Sequence, residues 1–201
     1  YLSKRWQEHA NTYGFLPRHG FLKGPAYPKV MPDASRRDAV TPSGGRPGSD
    51  VGFLATQLLD PYNVELGVLN PITPAPGAGQ NLEFSAALAT AMNHWVLDEW
   101  VDKDKRLKAS IVIPYENVEA SVAEIDRLAG DKRFVQILIM SRTAEPLGQR
   151  KYWPIFEAAV RANLPIGVHA FGYGGFPVTG SGWPSYYTEE MTGHAASCQS
   201  L

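Results

Sequence analysis

The sequence predicts an α/β fold built on a parallel sheet, and three observations point to it. Short apolar runs rich in β-branched residues recur along the chain, at 64–69, 107–113, 134–140 and 165–170. Each is nearly continuous in apolar character, as strands are when helices cover the sheet on both sides. The runs alternate with helical patterns long enough for the crossovers that parallel strands need. With 201 residues, 44% hydrophobic and 19% charged, the chain can bury the core of one domain.

Leu2 to Tyr13 reads as a helix, with Ser3 as its cap and Gly14 as its stop. Gly14 to Ser49 has little periodicity and much Gly, Pro and Arg, so residues 1–49 are expected to be mainly an irregular N-terminal segment. The β/α units occupy 50–201. Asp50 caps a helix through Leu59, which Pro61 ends. Val64 to Leu69 is a strand ending at Asn70-Pro71. Asn81 to about Val101 is a helix, with Phe84, Leu88, Ala91 and Trp95 on one face. Leu107 to Ile113 is a strand ending at Pro114. Asn117 to Ala129 is a helix with Val118, Val122, Ile125 and Ala129 on one face. Phe134 to Met140 is a strand ending at Ser141-Arg142. Tyr152 to Asn163 is a helix with Trp153, Phe156 and Val160 at helical spacing, stopped by Asn163 and Pro165. The run Pro165-Ile166-Gly167-Val168-His169-Ala170 is the next strand. Periodicity alone leaves open whether these units begin a barrel or an open doubly wound sheet.

Composition removes several function classes. Nineteen basic and 20 acidic residues give a net charge of -1, so no strong field favours nucleic acid or an anionic membrane. No basic cluster is interleaved with aromatics. No apolar run is long enough to span a bilayer, and no signal peptide is evident. No glycine-rich fingerprint follows a strand, so nucleotide phosphates are not expected. Cys198 is the only cysteine, which weakly favours a reducing, cytoplasmic setting. The chain opens on Tyr1 directly into a helical pattern and closes on an apolar-periodic stretch with no stop signal. Its ends therefore read as those of an excerpt from a longer protein.

His169 is the leading candidate for chemistry. It closes an apolar strand just before a glycine- and aromatic-rich loop, where α/β proteins place their active residues. Gly167 shares its face of the strand, and a small neighbour leaves room for a metal or substrate. The alternative is a hydrogen-bonded structural histidine. The segments Leu147-Gly148-Gln149-Arg150-Lys151-Tyr152-Trp153-Pro154-Ile155-Phe156-Glu157-Ala158-Ala159 and Leu164-Pro165-Ile166-Gly167-Val168-His169 resemble the amidohydrolase-related family. This is the branch of metal-dependent hydrolases that includes aminocarboxymuconate-semialdehyde decarboxylase. Val64-Glu65-Leu66-Gly67-Val68-Leu69-Asn70 resembles its second barrel strand.

The resemblance runs from about Asp50 to the end. It implies a (β/α)8 TIM barrel, present here as roughly strands 2 to 5 with their helices, in one incomplete domain. It also implies a divalent metal at the C-terminal face, with His169 as the metal-binding histidine after the fifth strand. The family's His-x-His pair has no counterpart here and would lie before Tyr1. Its later histidine and catalytic aspartate would lie beyond Leu201. The fourth strand ends in Met140-Ser141-Arg142 without the bridging lysine of some branches, which points to a single ion. Zinc is the expected metal for imidazole and carboxylate ligands.

Further candidates surround His169. Phe171 and Trp183 belong to a loop over Phe171 to Tyr187, whose glycines permit closure and whose aromatics suit a pocket wall. The competing reading is a packed surface or oligomer contact, including that of a homodimer. Arg142 could bind a substrate carboxylate through its planar fork, or form a structural salt bridge. His194 could approach the site from the start of a helical stretch, or be an ordinary polar helix residue. His19 could reach a substrate from the long N-terminal loop. His94 reads as solvent-facing.

The implied function is metal-dependent hydrolysis of a small molecule, with water activated on the ion. Non-oxidative decarboxylation is the alternative within the same family. A non-catalytic barrel or inactive fragment is a third, since likeness of fold does not establish activity.

Overall fold

The computed structural model describes residues 1–14, 37–71 and 81–172, together with Thr192, Ala195, Ala196, Cys198 and Gln199. Four parallel strands lie side by side in chain order: β1 (Gly67–Leu69), β2 (Leu107–Val112), β3 (Phe134–Arg142) and β4 (Ile166–Gly172). They curl into part of a (β/α) barrel. Sequential order with all strands parallel follows from one helical crossover per step.

The first helix, α1 (Lys4–Tyr13), precedes the sheet. Trp6 and His9 pack their rings on Phe84 at 5.4 and 4.8 Å between centroids, and Gly14 ends the helix at φ 72°. Next, α2 (Val51–Leu54) passes into a π-helical turn over Ala55–Leu59. As read from the sequence, Asp50 caps it, accepting from the Phe53 N–H at 2.9 Å. The helix α3 (Leu82–Val96) joins β1 to β2 and also ends in a π-turn, Leu97–Val101. Helix α4 (Val118–Leu128) joins β2 to β3. After a 3-10 turn over Arg150–Tyr152, α5 (Trp153–Ala162) joins β3 to β4 and stops at Asn163 in the left-handed region, φ 53°. Asn81 and Asn117 cap α3 and α4 through their side-chain oxygens.

The structure revises several details. The first strand spans only Gly67–Leu69, because the chain before it is still turning after the π-helix, where the Val64 N–H bonds back to the Leu59 carbonyl. On α3 the buried residues are Ser85, Leu88, Ala89, Ala91, Met92, Asn93 and Val96, which include Leu88 and Ala91 of the expected face, while Trp95 sits on its shoulder against Trp100. On α5 the buried residues are Ile155, Ala158 and Ala159. Trp153 and Val160 are 49% and 79% exposed, so bulk and spacing indicated the wrong stripe. Small alanines face inward there because α5 packs closely on α4. The strand containing His169 runs on to Gly172, so Phe171 lies in β4 rather than in the loop.

Two polar devices stitch the units together. Asn93 on α3 is fully buried and brackets β2: its Nδ2 donates to the Val112 carbonyl at 2.9 Å and its Oδ1 accepts from the Val112 N–H at 2.8 Å. Nδ2 also donates to Glu124 of α4, which accepts further from Thr90 and Arg127. At the opposite, N-terminal ends of the strands, the tripeptide Asp-Lys-Arg occurs twice, at 104–106 and 131–133. Each time the Arg backbone N–H and guanidinium bond to the Asp two residues earlier. Each Arg also reaches an aspartate one unit back, Asp60 for Arg106 and Asp102 for Arg133. The repeat clips successive β/α units edge to edge.

Candidate active site

The strand register sorts the side chains onto two faces. Leu107, Ala109, Ile111, Ile137 and Ile139 form an apolar face that is essentially fully buried, together with Ile113 just beyond β2. Helices cover this face. The other face carries Ser110 and Val112 on β2, Gln136, Leu138 and Met140 on β3, and Gly167 and His169 on β4. Asn70, just past the C-terminal end of β1, continues the register that pairs Leu69 with Ala109 and so falls beside Ser110. This second face is the one left for the barrel interior.

His169 pairs with Met140 and is partly buried, near the C-terminal end of its strand. The strand placement read from the sequence is therefore found, as is the face shared with Gly167. The space beside Gly167 is filled, however. A Cβ there would meet the Gln136 side-chain amide at 3.0–3.1 Å. Gly167 makes room for Gln136 rather than for a metal or substrate.

Gln136 belongs to a polar layer that crosses three strands. Its Nε2 donates to Ser110 Oγ at 2.8 Å and to Asn70 Oδ1 at 3.0 Å, and Ser110 Oγ donates to the same Asn70 oxygen at 2.5 Å. Gln136 lies four residues before Met140, the register partner of His169, and its amide borders Gly167 on β4. Sequence reading missed the layer, although single polar residues inside otherwise apolar strands were the available signal.

A second missed cluster stands at the C-terminal end of β2. Glu116 accepts from the Ala144 N–H and the Lys151 ammonium, both at 2.7 Å, and from the Tyr152 hydroxyl at 2.9 Å. Lys151 also bonds Glu145 at 3.2 Å. Its pKa is held well above that of an ordinary lysine, chiefly by the hydrogen bond to Glu116. Lys151 is thus a fixed cation and no base. Burial raises the Tyr152 pKa first and Glu116 adds to it, so the phenol stays protonated. Burial likewise raises that of Tyr115, whose hydroxyl has no partner among the described residues. The cluster pins the loop after β3 against the loop after β2.

The remaining candidates are distributed as follows. Arg142 is the last residue of β3, in register with Gly172. The backbone of Phe171 lies in β4. Trp183, His194 and His19 lie outside the described residues. His9 stacks on α3, and His94 is exposed and bonded through Nε2 to Arg127 at 3.1 Å. Among the described residues no group of three or more His, Cys, Asp or Glu could hold a metal. The donor set here is one imidazole, His169, which fits one corner of a coordination shell. No helix among the described residues is long and apolar enough to cross a membrane.

Comparison with known proteins bears on this arrangement. The family model for amidohydrolases matches residues 9–194. The fold is similar to the crystal structure of 5-carboxyvanillate decarboxylase from Novosphingobium aromaticivorans DSM 12444, complexed with manganese and 4-hydroxy-3-methoxy-5-nitrobenzoic acid. There the TM-score is 0.55 and the identity 24%, over 71% of this chain and 38% of that one. It is also similar to 2,6-dihydroxybenzoate decarboxylase from Rhizobium, with a TM-score of 0.57 and 20% identity, over 74% of this chain and 50% of that one. The chain thus spans half or less of the length of these structures. No curated protein matches it.

Proposed function

Because the chain belongs to the amidohydrolase family, we propose that it forms the second to fifth β/α units of a metal-dependent barrel enzyme acting on a small carboxylated substrate. Non-oxidative decarboxylation is the reaction we favour. The observation that carries the reading is the place of His169, on the interior face near the C-terminal end of a parallel strand. The decarboxylases of similar fold support the choice of reaction, and the manganese in one of them supports a divalent ion without favouring zinc.

In this reading the His169 imidazole is one ligand of the ion. When bound, a divalent metal supplies positive charge that anchors the substrate's oxygens. Val112, Leu138 and Met140, all buried on the interior face, exclude water from that side. Arg142, at the end of β3, offers a cation for the substrate carboxylate. Phe171, Trp183, His194 and His19 remain candidates for the pocket wall. Hydrolysis is the second reading, favoured by the family model itself.

The test is product analysis with the whole protein, loaded with manganese or zinc and given hydroxylated benzoates. Release of CO2 with replacement of the carboxylate by hydrogen is expected. Turnover of esters, lactones or amides with no CO2 from any acid would favour hydrolysis instead.

A further inference from the structure

We propose that Asn70 is a substrate-binding residue, its side-chain amide donating a hydrogen bond from the C-terminal end of β1 to an anionic oxygen of the substrate. The proposal rests on the functional reading above and adds to it a residue, a role and a place.

Asn70 Oδ1 accepts from both Ser110 Oγ and Gln136 Nε2. With Gln136 Nε2 as the donor, Asn70 presents its oxygen to the layer. Nδ2 therefore points away from the layer with two N–H donors. Among the described residues nothing accepts from them, and Asn70 is exposed although its partner Ser110 is fully buried. A polar side chain held by two hydrogen bonds, with its donors left open, is already organised for an acceptor.

Place and charge narrow the acceptor. Asn70 follows the C-terminal end of β1, on the face that also carries His169, with two strands between β1 and β4. Along a flat sheet, three strand spacings of about 4.8 Å and a four-residue register offset of about 3.3 Å per residue put the two backbones about 20 Å apart, and the curl of the sheet brings them closer. Two side chains and a ring-sized acid fill such a gap. The polar layer itself is neutral, built of two amides and one hydroxyl. An oxygen already neutralised by a metal needs a donor and no second cation there. Ser110 and Gln136 are positioning residues, which act by fixing the amide.

The test uses the whole metal-loaded protein and two probes, 2,6-dihydroxybenzoate and its neutral carboxamide, with dissociation constants measured by calorimetry. Asn70→Asp keeps an oxygen for Ser110 and Gln136 but replaces the donor by a negative charge. It is expected to weaken the acid at least tenfold while changing the carboxamide less than threefold. Asn70→Ala, which leaves Ser110 and Gln136 bonded to each other, is expected to weaken the acid about fivefold and serves if the aspartate variant does not fold. Acid binding within twofold of wild type in a folded, metal-loaded variant overturns the role of Asn70 and leaves the functional reading standing. A wild-type protein that holds metal but binds neither probe overturns both, by removing the ligand class.

Discussion

Gly167 and Gln136 form a pair that neither residue reveals alone. An alanine at 167 would press its methyl on the Gln136 amide, which is itself tied to Asn70 and Ser110. Gly167→Ala is therefore expected to destabilise the protein by about 1–2 kcal/mol, through overpacking and a displaced hydrogen-bonded amide. Urea denaturation measures this, and an unchanged midpoint would show that the amide moves aside freely. Two buried tyrosines provide a contrast. The Tyr115 hydroxyl has no partner among the described residues, whereas that of Tyr152 donates to Glu116 and accepts from the Glu145 N–H. Tyr115→Phe should be neutral or stabilising by up to about 1 kcal/mol, and Tyr152→Phe destabilising by about 1–3 kcal/mol, because only the second breaks bonds to a charged, buried partner. Equal effects in thermal melts would contradict the assignment. At this scale the strand position of His169 was legible from the sequence, since a histidine in an apolar strand stands out. The polar layer was not, because its three members come from strands 26 to 66 residues apart and only the register brings them together.

The elements themselves were largely legible. Four apolar runs and the helices between them sit where the periodicity puts them, and Asp50, Asn81 and Asn117 cap helices through their side chains. What failed was the placing of Trp95 on α3 and of Trp153 and Val160 on α5, where close helix packing selects small residues over large ones. The Asp-Lys-Arg repeat yields a prediction about acid stability. Hydrogen bonding to Arg106 holds the Asp104 carboxyl at about 2, and Arg133 lowers that of Asp131 in the same way. A carboxyl whose pKa is depressed on folding stabilises the protein above its unfolded value, about 4, and that contribution is lost as pH falls through its folded value. Asp104→Asn should thus lie below wild type in urea midpoint at pH 5, with the gap shrinking towards pH 2. A gap that stays constant over this range would show that the clip acts by packing alone. Asn93 is the other element-level joint. Asn93→Ala strands both backbone groups of Val112 and one bond of Glu124, and is expected to cost about 3 kcal/mol or more. Loss below 1 kcal/mol in the same denaturation experiment would contradict the bracket.

For the whole molecule, four parallel strands in chain order and the match over residues 9–194 place the chain in the amidohydrolase family and its fold in a partial barrel. The chemistry depends on whether the interior face is a metal site, and one substitution decides it. The measurement is the metal content of His169→Ala in the whole protein, by elemental analysis after desalting, beside circular dichroism. The account predicts at least a tenfold fall in bound metal with the fold intact, since the change removes a nitrogen ligand from a strand end and opens little cavity. Wild-type metal content in the folded variant would contradict it, and would return His169 to a structural role.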